Sequence, residues 1–309
     1  MPRVLLPSRA SAGTPELLKT RALAIPVLLA LGLAAAAVAA PTGKPPTRII
    51  FPVIGPAQYT DDFGDARWQG RHEGNDIVSV RRALAVAAEA GTVEFDHASH
   101  GAGGCMLYLH GRSGTKYLYV HLNNDATAQN DNRGKCVPGT AFPKGLRTGA
   151  KVEAGQPVGY VGDSGDADGA SPHLHFELHP GGGAAISPYP YLRRALRLLF
   201  YAPEGSPFSL ALTGRVASFE GERLRLKVET LRWWPSGLRV PNVNRTLGID
   251  VLDAAVTAKK PTGVRSVSKL TSYIGRRVTV WTAPAPTTRA AQLGKDGELF
   301  ASRVVLLDD

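Results

Sequence analysis

Short strand-like runs separated by glycines place the strongest constraint on the fold of this chain. Such runs lie at 85–88, 91–95, 106–110 and 116–122, and a further glycine-spaced series follows at 149–165. Runs of this length, without a long amphipathic helix between them, are typical of antiparallel all-β domains. We therefore predict an antiparallel β-sheet core.

The segment at 172–180, PHLHFELHP, has the alternation of a strand with histidines on one face. His173 and His175 are two residues apart, so both side chains should project from the same side of the sheet. Two imidazoles on one strand can divide the work at a metal, one as ligand and one as proton handler. Glu177 shares this face and could orient a ligand or occupy an ordinary surface position.

Other candidate site residues precede this strand in the chain. His72 and Asp76 are four residues apart, and Gly74 between them favours a turn that leads into a strand at Ile77. His121 ends an aromatic strand-like run. Taken alone, the first pair fits a surface turn and His121 fits a structural histidine. A metal site would need all of these elements to meet in the fold.

Taken together and in this order, the elements resemble the lysostaphin-type zinc metallopeptidases, a family of peptidoglycan endopeptidases with an antiparallel β-sheet core. The resemblance covers about 150 residues, roughly 51–199, and implies that fold and that activity. It is carried by His-x-Gly-x-Asp at His72, Gly74 and Asp76, Tyr-x-His-Leu at Tyr119, His121 and Leu122, the glycine-spaced stretch 149–165, and His-Leu-His-Phe-Glu at His173 to Glu177.

The resemblance also implies a role for each matching residue. His72, Asp76 and His175 would be the zinc ligands, and three protein ligands leave the fourth tetrahedral position of zinc open. His121 and His173 would handle the proton of the attacking water and the developing negative charge. The sequence leaves open which of these two histidines takes which part.

The first 39 residues have the pattern of a secretory signal peptide. Four basic residues precede an apolar run at 22–40, and Ala37-Val38-Ala39 is a small-x-small pattern with cleavage expected after Ala39. The alternative is an uncleaved membrane anchor, because 19 apolar residues nearly span a bilayer. We expect a secreted or cell-wall-associated protein, or else a membrane-anchored one. A proline-rich leader at 40–50 follows.

The two cysteines of the chain, Cys105 and Cys136, fit this destination. In an oxidising compartment we expect them to pair, closing a loop worth about 3 kcal/mol in the chain-entropy model. The alternative is two buried free thiols. The cysteines are too far apart in sequence for a zinc knuckle.

The C-terminal part differs in character from the catalytic-type region predicted at 51–200, which ends in a short helix at 191–200. After a linker at 201–207, residues 208–309 contain a hairpin around Glu220 and Gly221, three later strands, and a helical stretch at 267–274 before the fourth strand. This order resembles an oligonucleotide/oligosaccharide-binding-type small β-barrel. We therefore predict an all-β protein with a small barrel as accessory domain.

The charge of the chain is concentrated in this C-terminal part. Residues 206–309 carry 16 Lys/Arg against 9 Asp/Glu, whereas residues 40–205 carry 16 of each. A basic surface attracts anionic polymers such as teichoic acids, or it simply solvates a structural domain. Nucleic acid is not expected as a partner of a secreted protein. Trp233 and Trp234 could stack on sugars, although one of two adjacent tryptophans usually lies in a core.

The sequence as a whole predicts a secreted zinc endopeptidase that hydrolyses peptide bonds in the stem or cross-bridge of bacterial peptidoglycan. The presence of every ligand and both auxiliary histidines favours this over a catalytically silent wall-binding or regulatory module with the same fold. A secreted protease acting on other proteins is a third possibility, because the motifs specify the hydrolytic centre and not the peptide.

Overall fold

The computed structural model describes residues 43–68, 70–96, 101–259 and 263–307. The predicted signal peptide or membrane anchor at 1–39 and the first residues of the leader lie outside these ranges. Within the described part of the chain, no helix combines the length and the apolar content needed to cross a bilayer.

The first half of the structure is built from short strands, as predicted. The strands are β1 (Val53–Ile54), β2 (Ala66–Arg67), β3 (Gly70–Arg71), β4 (Asn75–Val78), β5 (Leu84–Val86), β6 (Gly91–Asp96), β7 (Cys105–Gly111), β8 (Thr115–Leu122), β9 (Lys151–Val152), β10 (Pro157–Tyr160) and β11 (His173–Pro180). Six of them form one antiparallel sheet in the order β4-β11-β8-β7-β6-β9, and three more pair as β1-β5-β10.

The histidine-bearing strand β11 pairs with β4 on one side and with β8 on the other, and its apolar face packs into the core. Leu174, Phe176 and Leu178 are fully buried, and each such side chain contributes about 1.5–3 kcal/mol through burial. The ring of Phe176 lies 5.9 Å from that of Tyr117 and 5.3 Å from that of Tyr119, both on β8. Because side chains alternate along a strand, this packing commits the histidines of β11 to the opposite face.

The long polar loop after β8 is tied back to the sheet. Cys136 in this loop forms a disulfide with Cys105 at the start of β7, which confirms the predicted pairing. Phe142 is fully buried, and its ring stacks on Phe95 of β6 at 3.9 Å. The loop is therefore fixed at two points, one covalent and one apolar.

The C-terminal half is also dominated by strands. Helix α1 (Tyr189–Arg194) is shorter than the helix predicted at 191–200, because Ala195 already has an extended backbone. The elements that follow are β12 (Pro207–Glu220), β13 (Arg223–Trp234), β14 (Arg239–Val240), β15 (Arg245–Asp250), β16 (Ala255–Ala258), β17 (Val264–Arg265), a 3-10 helix (Val267–Tyr273), β18 (Arg277–Thr282), β19 (Ala285–Pro286), α2 (Arg289–Gln292) and β20 (Ala301–Leu306).

These strands form one sheet in the order β14-β13-β12-β18-β20-β16-β17, and β15 also pairs with β13. β12 pairs with β13, β13 with β15, and β16, which follows β15 in the chain, pairs in parallel with β20. β20 then pairs with β18, and β18 with β12. The 3-10 helix lies between β17 and β18. The all-β class is confirmed, whereas the assignment to the oligonucleotide/oligosaccharide-binding type stays a prediction.

One hydrophobic core joins the two halves of the described chain. Residues 40–309 form one compact unit, and the boundary at 201–207 stays a prediction. The shared core includes side chains from the first half, such as Ile50, Ile54, Leu84 and Val86, together with Leu198, Leu199, Phe200 and Ala202 and strand residues such as Leu210, Leu212, Leu226, Trp233 and Val280.

Candidate metal centre

Three side chains bring one donor atom each to a common point. His72 Nε2 lies 2.9 Å from His175 Nδ1 and 3.2 Å from Asp76 Oδ1, and the last two atoms are 3.1 Å apart. Asp76 on β4 is paired in register with His175 on β11, while His72 precedes β4. The three residues that the sequence predicts as ligands are thus brought together.

In each of these side chains, the nitrogen or oxygen atom that faces away from the cluster, here called the outer atom, has its own hydrogen-bond partner. His72 Nδ1 donates to the backbone carbonyl of Asp62 at 2.8 Å. His175 Nε2 lies 2.9 Å from Glu177 Oε1, to which it donates. Asp76 Oδ2 accepts from Arg67 Nη2 at 2.9 Å. Because a carbonyl and a carboxylate can only accept, the inner nitrogens of both neutral imidazoles carry lone pairs.

This arrangement fits a divalent metal ion. Three lone-pair donors face one another, and such a cluster needs a positive charge at its centre, either a metal or an additional proton. Tetrahedral bonds of about 2.0–2.1 Å place donor atoms about 3.3 Å apart, close to the separations between these donors. The two imidazoles and one carboxylate are also a donor set typical of zinc.

The electrostatics of the metal-free cluster agree with this interpretation. Burial alone would raise the pKa of Asp76, but hydrogen bonds from His175 and His72 lower it well below the usual range for a carboxyl. Burial alone would lower the pKa of His175, but its hydrogen bonds to Asp76 and Glu177 raise it to about 9. The cluster therefore attracts positive charge, which a metal supplies when it displaces the proton.

Gly74 is required by the close approach of the two strands. A Cβ atom built on Gly74 would lie 2.7 Å from the backbone oxygen of Phe176 and 2.8 Å from the ring of His175. These distances are too short for any side chain. The glycine between His72 and Asp76 therefore lets the chain pass directly over the ligand on β11.

The two remaining predicted histidines lie beside the donor cluster. The ring centroids of His121 and His173 are 5.0 Å apart, and that of His121 is 6.0 Å from that of His175. His173 Nε2 lies 3.9 Å from Asp76 Oδ1, and His173 Nδ1 is 2.9 Å from the backbone oxygen of Ser171. All five predicted site residues therefore occupy one location.

His121 is fixed by its backbone and by a hydrogen bond. It has φ of 58° near the end of β8, a left-handed conformation that is uncommon for a side-chain-bearing residue. Its Nδ1 donates to the carbonyl of Ser164 at 2.8 Å, which leaves Nε2 as the acceptor nitrogen of the neutral ring. Burial, together with the neighbouring His173, lowers the pKa of His121 to about 4.

The five residues lie along an open cleft of about 710 Å³. One wall is the β2–β3 hairpin, where Trp68 is 82% exposed. Met106 and Asp166 also line the cleft, and Asp166 lies 3.8 Å from His121 Nε2. The size and openness of the cleft suit an extended polymer more than a small enclosed ligand.

Sequence reasoning missed several residues that support the site. Asp62 and Arg67 contact ligands from the segment before His72, but no spacing in the sequence indicates this. Glu177, which the sequence leaves open, lies between His175 and His179 and bonds to both. His179 in turn bonds to the backbone oxygen of Gly183 at 2.8 Å.

A buried ion cluster that includes the residue before Ser164 was also missed. Arg81 binds both carboxylate oxygens of Asp163, at 2.6 and 2.7 Å, and also contacts Asp125. Both aspartates are fully buried, and the pKa of Arg81 is raised mainly by its hydrogen bonds to Asp163. Ser164, whose carbonyl orients His121, follows Asp163 directly, so this cluster supports the position of His121.

Comparison with known proteins gives a related sequence over part of the chain. No protein-family model matches. The curated L-Ala–D-Glu endopeptidase of Bacillus subtilis (strain 168) is 31% identical over 154 residues, which is 46% of this chain and 42% of that protein. The chain therefore spans less than half the length of this curated relative.

Solved structures give weaker likenesses. The catalytic domain of lysostaphin from Staphylococcus simulans is 23% identical with a TM-score of 0.34, covering 44% of this chain and 92% of that domain. A zinc-containing peptidase from Vibrio cholerae is 17% identical with a TM-score of 0.32, covering 45% and 38%. The curated relative supports the motif-based resemblance, and the chain contains a region similar to LytM-like peptidoglycan endopeptidases of the lysostaphin type.

Proposed function

We propose that this chain is a secreted zinc-dependent endopeptidase that hydrolyses peptide bonds in the stem or cross-bridge of bacterial peptidoglycan. The observation that carries the proposal is the convergence of His72, Asp76 and His175 beside His121 and His173 in an open cleft. The substrate class is that of the family that the motifs resemble, and the curated relative, an L-Ala–D-Glu endopeptidase, supports it.

His72, Asp76 and His175 would hold the zinc ion. When bound, zinc polarises the scissile carbonyl and acidifies a water molecule. The three side chains are held in place without a metal ion, because Asp62, Arg67 and Glu177 form hydrogen bonds with their outer atoms. Such support keeps the donor atoms in place and leaves one side of the site open to the cleft.

His121 is the residue that we assign to proton transfer. Its low pKa keeps the ring neutral near pH 7, and the bond from Nδ1 to Ser164 leaves the Nε2 lone pair free to accept the proton of the attacking water. The same nitrogen can return the proton to the leaving amine. His173, on the other side of the cluster, would donate from Nε2 to the developing oxyanion when protonated.

An extracytoplasmic site of action follows from this substrate. The disulfide between Cys105 and Cys136 fits an oxidising compartment. Residues 1–39 would direct secretion by a cleaved signal peptide, with an uncleaved membrane anchor as the alternative. The assignment of residues 51–200 as the peptidase domain and 208–309 as an accessory domain is part of the same proposal.

The proposal is tested by incubating the full chain with purified peptidoglycan and measuring new free amino groups. We expect release that stops with a chelator and returns with zinc. His175→Ala should lower bound zinc, whereas His121→Ala should keep zinc and lose activity. Zinc-loaded protein that sediments with walls and releases no amino groups would instead establish the catalytically silent wall-binding module.

A further inference from the structure

A single row of side chains crosses the C-terminal sheet from one strand to the next. Arg239 on β14 pairs in register with Arg232 on β13, and Arg232 pairs with Ala211 on β12. Ala211 pairs in turn with Trp281 on β18, and Trp281 pairs with Arg303 on β20. We call these five residues the Trp–Arg row.

The Trp–Arg row faces solvent. Residues directly opposite each other on paired strands project from the same side of a sheet, and the three arginines are exposed while Trp281 is 37% exposed. The next residues along the same strands point the other way and are buried in the core: Leu210, Leu212, Leu231, Trp233, Val240, Val280 and Val304. The row is thus one side of a sheet whose other side is packed.

A second tryptophan enlarges the aromatic surface at this row. The ring of Trp234 stacks on that of Trp281 with 5.2 Å between centroids and 26° between planes. Trp234 is half-buried, whereas its neighbour Trp233 is only 2% exposed and lies in the core. Stacking on Trp234 orients the Trp281 ring, of which 37% remains exposed.

The positive charge of the row is not compensated within the described residues. Other arginines on the same sheet have acidic partners, such as Arg225 with Asp296 at 2.8 Å. Arg232, Arg239 and Arg303 have no ion pair in the part of the chain that the structure describes. Trp281 therefore has Arg303 on the next strand on one side, and Arg232 lies beyond Ala211 on the other.

We propose that the Trp–Arg row binds a sugar polymer that bears phosphodiester groups. A sugar ring stacks on an exposed tryptophan, and guanidinium groups bind phosphate through paired hydrogen bonds. Four strand spacings give the row a width of about 19 Å, which is longer than one sugar unit. The choice of a wall polymer over a nucleic acid rests on the proposed function, because peptidoglycan places the protein at a wall.

Binding of purified wall teichoic acid to the full chain tests this inference. All variants carry His121→Ala, so that hydrolysis has no influence and failure of the peptidase proposal is measured separately. We expect Trp281→Ala to weaken binding about tenfold or more, with Trp281→Phe keeping much of the affinity. Replacing Arg232 and Arg303 with Gln should weaken binding and make it less sensitive to salt.

Matched controls decide the outcome. Arg147→Gln removes one exposed positive charge from the other half of the chain and should leave binding unchanged. Equal unfolding midpoints would show that the variants fold. Unchanged affinity in both the Trp281→Ala and the double arginine variant would overturn the proposal, as would tighter binding of single-stranded DNA than of teichoic acid at the same salt concentration.

Discussion

At the scale of single residues, Glu177 connects His175, one of the three proposed zinc ligands, to His179 on the same strand β11. Its carboxylate bonds to His175 on one side and to His179 on the other, and it is only 8% exposed. Burial alone would raise the pKa of Glu177, but hydrogen bonds to these two histidines lower it. The carboxylate is therefore charged. By accepting from Nε2 of His175, it holds the ring with Nδ1 toward His72 and Asp76.

We predict that Glu177→Ala weakens zinc binding by about 10–100-fold, because loss of such an outer partner costs that much at metal sites. The measurement is the zinc dissociation constant from competition with a chelator. Glu94→Ala is the matched control, since Glu94 also pairs with a histidine, His110 at 2.8 Å, on the surface of the same sheet. Equal zinc affinity in the two variants would contradict the role given to Glu177.

We also predict that His121 stays neutral in the metal-free protein down to about pH 4. An unfolded histidine binds a proton near pH 6.5, so between these values the unfolded chain holds the extra proton. The free energy of unfolding should therefore decrease as pH falls through this window, by about 3 kcal/mol from His121 alone.

Histidine NMR signals followed from pH 8 to pH 4, with His121→Gln for assignment, measure this directly. The His121→Gln variant should show a weaker loss of stability over the same pH range, because it lacks the group that resists protonation. A His121 signal that titrates near pH 6.5 would refute the assignment of a buried neutral base.

At the scale of elements, the site depends on how closely β4 lies against β11. The register places Asp76 opposite His175, and Gly74 permits the chain before β4 to cross the His175 ring. The β-sheet hydrogen bonds between these two strands thus set the distance between two of the three ligands. A change at a non-ligand position should therefore alter the metal site.

We predict that Gly74→Ala lowers zinc affinity at least tenfold, because its Cβ would push against Phe176 and His175. Isothermal titration with zinc measures the change. Gly101→Ala is a suitable control, since a Cβ atom there meets nothing within 4 Å and its backbone does not require glycine. If both variants bind zinc like the parent, close strand approach does not control the site.

The sequence predicts the ligands better than it predicts their supports. Alternation along β11 places His173 and His175 on one face, and the resemblance carried by the motifs in their order implies that His72, Asp76 and His175 are the ligands; the structure brings the donor atoms of these three residues together. Arg67 and Asp62 act across a hairpin, and the contact of Arg81 with Asp163 joins residues 82 positions apart. Such contacts depend on tertiary packing, which no short spacing encodes.

The helix predicted at 191–200 is longer than the observed one, because Ala195 has an extended backbone and Leu196 forms a β-bridge with Ile50.

At the scale of the whole molecule, the shared core makes the two halves depend on each other. Ile54 and Val86 from the first half lie in the same hydrophobic cluster as Leu210 and Val280 from the second. The backbone amide of Leu199 also donates to Gln292 near the C-terminal end at 2.7 Å. Two halves that bury surface against each other to this extent should not unfold independently.

We predict that Leu198→Ala, in the shared core at 5% exposure, lowers the free energy of unfolding of both halves by the same amount, about 2–5 kcal/mol. Hydrogen exchange of backbone amides in β8 and in β18 reports each half separately. Leu238→Ala is the control, because Leu238 is 42% exposed and its truncation should cost little. A loss of protection confined to β18 would show that the halves are separate folding units, and residues 208–309 could then be removed without loss of the proposed metal site.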